Sequence, residues 1–412
     1  MDPNLRTPYV ETWTLSMQQA LASNLVLDVA YVGNHGVNLL GKTNLNQPLP
    51  NAGWTPALIA NCNAARTTGA CTDPDANILG GPGRPYFTRF PYIQNITYLR
   101  NGDVSNYNGL QVSLTARNFH GLSLISGYTW SKALGIANNN NDSFQMDAYN
   151  NSLDYGRTNN DVRHRLTIGP SYRLPGKQGA WGLLDAWKVS GSFKFQSGLP
   201  VNPVDTRDFQ RTNRGTSRWD FFGNTDDFRF DDKANTDVPR FFAACGTTPC
   251  PPLAGINPRT GVAYVAADMA INNSLCTAHA ASQATLSAFG CWVQGNSVMT
   301  PPALGTFGNA PRNLFSGPSY WGADIAVSKN QKFTEAFSAE FRGEFFNVFN
   351  HPNIYRPPGT LTAPANLSLS APCNSSTCQF ATVTQTPDVF ASNPVLGSGS
   401  SRRIQLGVKL IF

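Results

Sequence analysis

Apolar and polar residues alternate with period two along most of this chain, in runs too long for an ordinary soluble sheet. In TWTLSMQQ, Trp13, Leu15 and Met17 alternate with Thr12, Thr14, Ser16 and Gln18. Leu25, Leu27, Val29 and Tyr31 share one face of the next run, with Asp28 on the other. Leu110, Val112, Leu114 and Ala116 oppose Gln111, Ser113, Thr115 and Arg117, and then Leu122, Leu124, Tyr128 and Trp130 share a face. The same pattern sets Leu166, Ile168, Tyr172 and Leu174 against Arg165, Thr167, Ser171 and Arg173. It sets Trp187, Val189, Phe193 and Phe195 against Lys188, Ser190, Ser192, Lys194 and Gln196. Ala323, Ile325 and Val327 oppose Asp324 and Ser328; Phe337, Ala339, Phe341 and Phe345 oppose Ser338, Glu340, Arg342 and Glu344. The chain closes on RRIQLGVKLIF, with Ile404, Leu406, Val408, Leu410 and Phe412 on one side and Arg403, Gln405, Gly407 and Lys409 on the other. Alternation of this kind is the mark of strands with one apolar and one wet face, and no comparable helical stripe runs through the chain.

Length separates two kinds of sheet. The runs are about nine to twelve residues, whereas strands of soluble sheets usually have about 5–6 and a strand crossing a bilayer needs about 9–11. The connections alternate too. Short links fall at 21–24, 118–121, 175–185 and 330–336, and long ones at 34–107, 134–163, 198–320 and 350–401. Short periplasmic turns and long extracellular loops are the habit of outer-membrane barrels. Tyr92 to Arg100 is also strand-like, but counting it as a spanning strand would invert the first two strands. It is therefore placed in the extracellular loop, in line to extend the strand at 108–118, which leaves nine spanning strands. Trp13, Tyr31, Tyr128, Trp130 and Trp321 then fall at extracellular strand ends, and Trp187 and Phe412 at periplasmic ends, as interfacial aromatics do.

Composition agrees. Only 14% of residues are charged, against roughly 25% in a soluble domain, yet mean hydropathy is negative. The polar surface is therefore Asn, Ser, Thr and Gln. The net charge of +6 is spread without a basic block, which argues against nucleic acid. No apolar run is long enough for a transmembrane helix.

The eight cysteines form four neighbouring pairs: Cys62 and Cys71, Cys245 and Cys250, Cys276 and Cys291, Cys373 and Cys378. All fall in the long loops, where local cross-links restrict the unfolded chain most usefully. The five histidines are dispersed and supply no zinc pattern, so four local disulfides are expected, and no metal or other cofactor. An oxidising compartment would require export, but MDPNLRTPYV does not begin as a signal peptide. The expectation is a chain whose upstream part is missing.

No nucleophile elbow, P-loop or HExxH motif occurs. LGGPGRP, around Gly80, Gly81 and Gly83, lacks a strand–helix context and reads as a loop. DDFRFDD, from Asp226 to Asp232, lacks the EF-hand spacing and reads as a solvated loop, as does NNNND from Asn138 to Asp142. Alternation places Arg117, Arg165, Arg173, Lys188, Lys194, Glu340, Arg342, Glu344, Arg403 and Lys409 on the lumen side. On the lipid face a midplane Arg or Lys would cost about 2–4 kcal/mol. NDVRHR, Asn160 to Arg165, is the densest such cluster, at a strand mouth. These charges either pair to hydrate the wall or meet a plug or passing ligand.

Together, NLRTPYVETWTLSMQQAL, VLDVAYVGNHGVNLL, SNYNGLQVSLTARNFHGLSLISGYTWSKAL, NDVRHRLTIGPSYRLP, WKVSGSFKFQSGLPVNP, AEFRGEFFNVFNHPN and RRIQLGVKLIF resemble the C-terminal barrel region of TonB-dependent outer-membrane receptors. The likeness is strongest to the Oar-like group, which carries a carboxypeptidase-regulatory-like domain. The resemblance implies an all-β, antiparallel transmembrane β-barrel segment over residues 1–412. In the whole receptor the barrel has about 22 strands, so nine counted from the end would begin near the fourteenth. The plug, the TonB-contacting box and the signal peptide are not found. It further implies energy relayed by the TonB complex, an unknown imported ligand, outer-membrane lipid as solvent, and assembly machinery that reads the terminal Leu410 and Phe412. Catalysis is not expected. The alternatives are an outer-membrane adhesin whose loops bind carbohydrate or protein, and a secreted β-rich glycosidase. The latter would need two carboxylates about 5–10 Å apart, and none can be assigned.

Overall fold

The computed structural model describes residues 1–57, 83–136, 146–176, 187–205, 208–212, 217–228, 240–242, 265–334, 337–353, 365–368 and 401–412. Nine long strands run through them in chain order: β1 (Tyr9–Ala22), β2 (Leu25–Asn44), β3 (Thr97–Phe119), β4 (Leu122–Gly135), β5 (His164–Arg173), β6 (Trp187–Gln196), β7 (Tyr320–Lys332), β8 (Ser338–Phe346) and β9 (Arg403–Ile411). Each pairs antiparallel with its sequence neighbour in one sheet, and the two-residue strand Gly156–Arg157 adds to the top of β4. Among the described residues β1 pairs only with β2 and β9 only with β8, so the sheet is an open barrel segment.

The register turns each strand's alternation into continuous rows. Leu15, Tyr31, Leu110, Trp130 and His164 lie directly opposite one another from β1 to β5. Val112, Tyr128, Leu166, Phe195 and Trp321 form the next apolar row down, and Phe341 and Val408, with Phe345 and Ile404, continue the face across β8 and β9. These side chains are open to the surroundings: Leu15 is 76% exposed and Leu406 80%. A connected apolar face of this extent is not stable in water; lipid is its solvent.

The face ends in aromatics at both levels. Trp13 lies across Gly33, directly opposite it, where a Cβ would sit 2.2 Å from the indole Nε1. Tyr31 donates its hydroxyl to Asn108 Oδ1 at 2.6 Å, and Trp321 stacks on His351 with centroids 4.2 Å apart. Above this level the same side turns polar, with Asn108 opposite Lys132 and His35 opposite Asn106. At the other end Phe337 stacks on Phe333 at 5.4 Å and on Phe412 at 5.3 Å. One cation breaks the pattern. Lys329 stands in the apolar row between Trp187 and Phe341, buried, with its ammonium 5.5 Å from the Trp187 ring centroid. It lies four residues before Phe333, close enough to the periplasmic boundary for its stem to run along apolar surface.

Two expectations change. Strands exceed the membrane span, with 20 residues in β2 and 23 in β3, so Asn34–Asn44 and Thr97–Tyr107 belong to a hairpin projecting above it and not to a loop. Thr97–Arg100 does extend the strand below it, whereas Tyr92–Ile96 does not join it. The long loops also have a core of their own. Val201, Phe209, Trp219, Phe228, Met269, Trp292, Met299 and Phe315 are buried together in the β6–β7 connection, around a four-stranded sheet of short strands. Two short helices, Ser274–His279 and Gln283–Phe289, flank it. The Cys276–Cys291 disulfide links the first helix to the strand Cys291–Gln294, with Cα atoms 6.2 Å apart. For a loop of that length the cross-link contributes about 3 kcal/mol. Cys62, Cys71, Cys245, Cys250, Cys373 and Cys378 lie outside the described residues, as do Gly80, Gly81 and Asn138–Asp142.

The β3–β4 turn is built for left-handed backbone. His120 and Gly121 have φ of 50° and 86°, and Asn118, at a register shift, has 54°. Two positive φ values make the tight hairpin turn whose twist matches its strands. Gly121→Ala adds a Cβ 3.2 Å from Arg173 O in a strained conformation, whereas at Gly127 the nearest atom would be 3.6 Å away. Urea unfolding in detergent should show a loss of about 1 kcal/mol for Gly121→Ala and a much smaller change for Gly127→Ala.

Candidate functional site

The surface available to a solute is the polar face of the sheet and the loop cap at its extracellular end. Across the polar face, Thr129, Arg165, Gln196 and Tyr320 lie in one row, and Gly127, Thr167, Lys194 and Gly322 in the next. Toward the periplasm Arg173 faces Lys188, which faces Ser328, which faces Arg342. Glu340 is opposite Lys409, Glu344 opposite Gln405, and Arg403 opposite Phe346. Nine of the ten charges assigned to the wet side by alternation are thus in register on one face. The tenth, Arg117, follows Ala116 at the register shift and donates its backbone N–H to Asn24 O at 2.9 Å. Arg342 is paired with Glu344 at 2.8 Å.

NDVRHR proves to be a latch between strand and loop. Asp161, fully buried, accepts from the Ala133 N–H at 2.7 Å and from Arg157 Nε at 2.8 Å, with Arg163 at 4.0 Å. His164 Nδ1 and the Tyr128 hydroxyl are hydrogen-bonded at 2.8 Å. Sequence density flagged this cluster; its partner Arg157 carried no signal.

Three extracellular connections are clamped together. Gln47 meets Asp147 and accepts from Ala148 N, and Tyr149 Oη donates to Gln47 O at 2.8 Å, tying the first loop to the second. Arg218 ties the second to the third, donating to Asp154 and to Leu153 O, at 2.8 Å and 2.7 Å. Burial lowers the Arg218 guanidinium from its usual value and the Asp154 carboxylate works against that. Arg312 donates to Ile136 O, and Asn313 Nδ2 to Arg157 O and Asn159 Oδ1. Arg211 lies 3.9 Å over the Trp54 ring and donates to Asn51, joining the third loop to the first. Of the acidic stretch expected to be solvated, Asp227 accepts from Ser297 Oγ at 2.6 Å and Phe228 is in the core; Asp231 and Asp232 lie outside the described residues. No group of metal-ligating side chains occurs among the described residues.

These features define an outer-membrane β-barrel chain. A family model described as the outer membrane beta barrel domain matches residues 1–405, and the chain belongs to that family. It is a protein of the bacterial outer membrane. Comparison with curated proteins gave no match. Among solved structures the chain is similar to the outer membrane transporter YddB from Escherichia coli, at 10% identity and TM-score 0.39, covering 99% of this chain and 33% of that one. It is also similar to the pyoverdine outer membrane receptor FpvA from Pseudomonas aeruginosa PAO1 bound to pyoverdine, at 11% identity and TM-score 0.35, covering 99% and 30%. The Pseudomonas putida toluene transporter TodX is similar at 8% identity and TM-score 0.21, covering 83% and 55%. The chain thus spans about a third of the length of the first two.

Removing Asp154 leaves the buried Arg218 charge without its carboxylate. Asp154→Asn should destabilise the cap by on the order of 3 kcal/mol, read as faster amide exchange across 146–157 with the strands unaffected. Burial also pushes the Asp220 carboxyl up, against the hydrogen bond from the Asn309 N–H. The folded cap then holds that proton more tightly than the unfolded chain. Its contribution is full below the ordinary Asp value of about 4 and is lost as pH rises through the raised folded value. Asp220→Asn should leave cap stability unchanged in acid and raise it at neutral pH.

Proposed function

We propose that this chain is the C-terminal part of the barrel of a TonB-dependent receptor of the Oar-like type, which imports a scarce ligand and performs no catalysis. The observation that carries the reading is the open sheet. It has a lipid-facing apolar side and a charged wet side, and among the described residues the outer edges of β1 and β9 have no partner strand. Each unpaired backbone group in hydrocarbon costs several kcal/mol. Both edge strands run toward the periplasm, so they cannot close on each other in the antiparallel manner of bacterial barrels. On this reading further strands stand between them, and a barrel that wide needs a plug to be impermeable. The clamped loops would select the ligand, the TonB complex would supply energy, and Leu410 and Phe412 would be read by the assembly machinery.

Two measurements test this. A photo-cross-linker at Ser16 on β1, in native outer membranes, should capture a segment outside residues 1–412; a β1–β9 cross-link within this chain would overturn the partial-barrel reading. Formaldehyde should join the membrane-extracted receptor to TonB. If TonB in the same membranes joins another receptor but not this one, transport is overturned and adhesion through the loop cap is favoured.

A further inference from the structure

The charges of the polar face are unevenly distributed. On β8 and β9 acid and base alternate: Arg342 pairs with Glu344 and Glu340 faces Lys409. That is charge pairing which hydrates a wall. On β5 and β6 the pattern is different. Neither strand contains an Asp or Glu, and neither does β4 beside them. Their polar faces carry Arg165 and Lys194 toward the extracellular end and Arg173 and Lys188 toward the periplasmic end, all four exposed. None is in an ion pair with a described residue. Arg173 and Lys188 are directly opposite each other, a placement that like charges disfavour. Between the two cationic ends the stripe presents Ser171, Ser190, Ser192, Thr167 and Gly169. On the neighbouring β7, Asp324 is opposite Ser192 and its Oδ1 accepts from the Asn347 N–H. From Arg165 to Arg173 is eight residues, about 26 Å at ordinary strand rise, close to the thickness of the bilayer core.

We propose that the polar face of β5 and β6 is an anion track, and that the ligand which moves along this wall is a solute bearing several negatively charged oxygens. This rests on the transport reading above and names the class of its substrate. Cation pairs at both ends attract such a solute and hold it, while the hydroxyl-lined middle donates hydrogen bonds without trapping it. Arg can grip phosphate or carboxylate through two parallel N–H groups. Release toward the periplasm is expected to depend on ionic strength, because the periplasmic pair is exposed and screened.

The test is titration calorimetry on the intact receptor, extracted from its outer membrane in detergent, with inorganic tripolyphosphate and, separately, citrate. Saturable binding of either supports the track, and the tighter of the two names the anionic group. Arg173→Gln with Lys188→Gln should weaken binding at least tenfold, as should Arg165→Gln with Lys194→Gln. Arg403→Gln with Lys409→Gln removes the same charge from β9 and should leave it nearly unchanged. Ser190→Asp keeps every cation, sets a carboxylate between Ser171 and Ala326, and should abolish binding while circular dichroism and cap proteolysis stay as in the parent chain. No saturable binding by the unsubstituted receptor, or equal loss in the β9 control, overturns the proposal. TonB cross-linking is read independently, so failure of the track and failure of the transport reading give different results.

Discussion

A backbone amide in hydrocarbon has no water to turn to, and nearly everything in this chain follows from that. A strand can satisfy its N–H and C=O groups only sideways, so every spanning segment from β2 to β8 has a partner on both sides. Lateral pairing fixes the pleat, and the pleat sends alternate side chains to opposite solvents. One face must then be acceptable to lipid across the whole sheet, which the register achieves by lining up Leu15, Tyr31, Leu110 and Trp130 in one row. The other face is free to be hydroxylic and charged. Among the described residues the outer sides of β1 and β9 have no partner, which is informative, because both edges are long, apolar on one side and exposed along almost their whole length. An edge of that kind in a soluble protein would be blunted by charge or proline.

The loop cap answers to a different solvent and is stabilised differently. Water surrounds it, so it can gain from burying apolar surface. Trp219 and Phe209 pack edge to face at 6.3 Å, and Phe228 stacks on Phe315 at 5.3 Å. Around that core the loops are held by charged and amide groups that each reach backbone of another loop: Arg218 to Leu153 O, Arg312 to Ile136 O, Asn313 to Arg157 O. A carbonyl acceptor does not titrate, so these hydrogen bonds do not themselves vary with pH. A surface fixed in this way loses little conformational entropy when a ligand arrives.

These two solvents also determine what the amino-acid sequence alone reveals. Lipid against water imposes a strict period of two, and the nine strands, their order and the shared face of Arg165, Arg173, Lys188 and Lys194 were legible for that reason. Where both sides of a strand meet water the period fades: Asn34, His35, Asn106 and Asn108 are polar on either face, so the upper halves of β2 and β3 read as loop. The core of the β6–β7 connection was illegible for a related reason. Its members, from Val201 to Phe315, are scattered over more than a hundred residues and share no spacing. Lys329 escaped notice because a lysine is tolerated on an apolar face only where its stem can reach a boundary, and the depth of a residue is a property of the sheet's tilt and register.

The projecting β2–β3 hairpin joins the two regimes. Its ladder continues unbroken from Leu25 opposite Ala116 up to Gly36 opposite Ser105, then passes two register shifts near Leu39 before regular pairing resumes to Asn44 opposite Thr97. At the shift Asn38 takes a positive φ of 54°, and Asn101 Nδ2 donates to its carbonyl at 2.6 Å. Asn101 also exchanges hydrogen bonds with the backbone of Arg6, so the irregular step is satisfied from the chain preceding β1. At the tip, Asn44 Oδ1 accepts from the Asn46 and Ile96 N–H groups, and Asn46 Nδ2 donates to Ile93 O and Gln94 O. The polar network of the first loop is therefore seated on strand backbone. Through Gln47 and Tyr149, and then Arg218, that seat extends to the other loops. The cap is thus joined by hydrogen bonds to the wall at the upper ends of β2 and β3, so the loops and the strands below them are one connected structure.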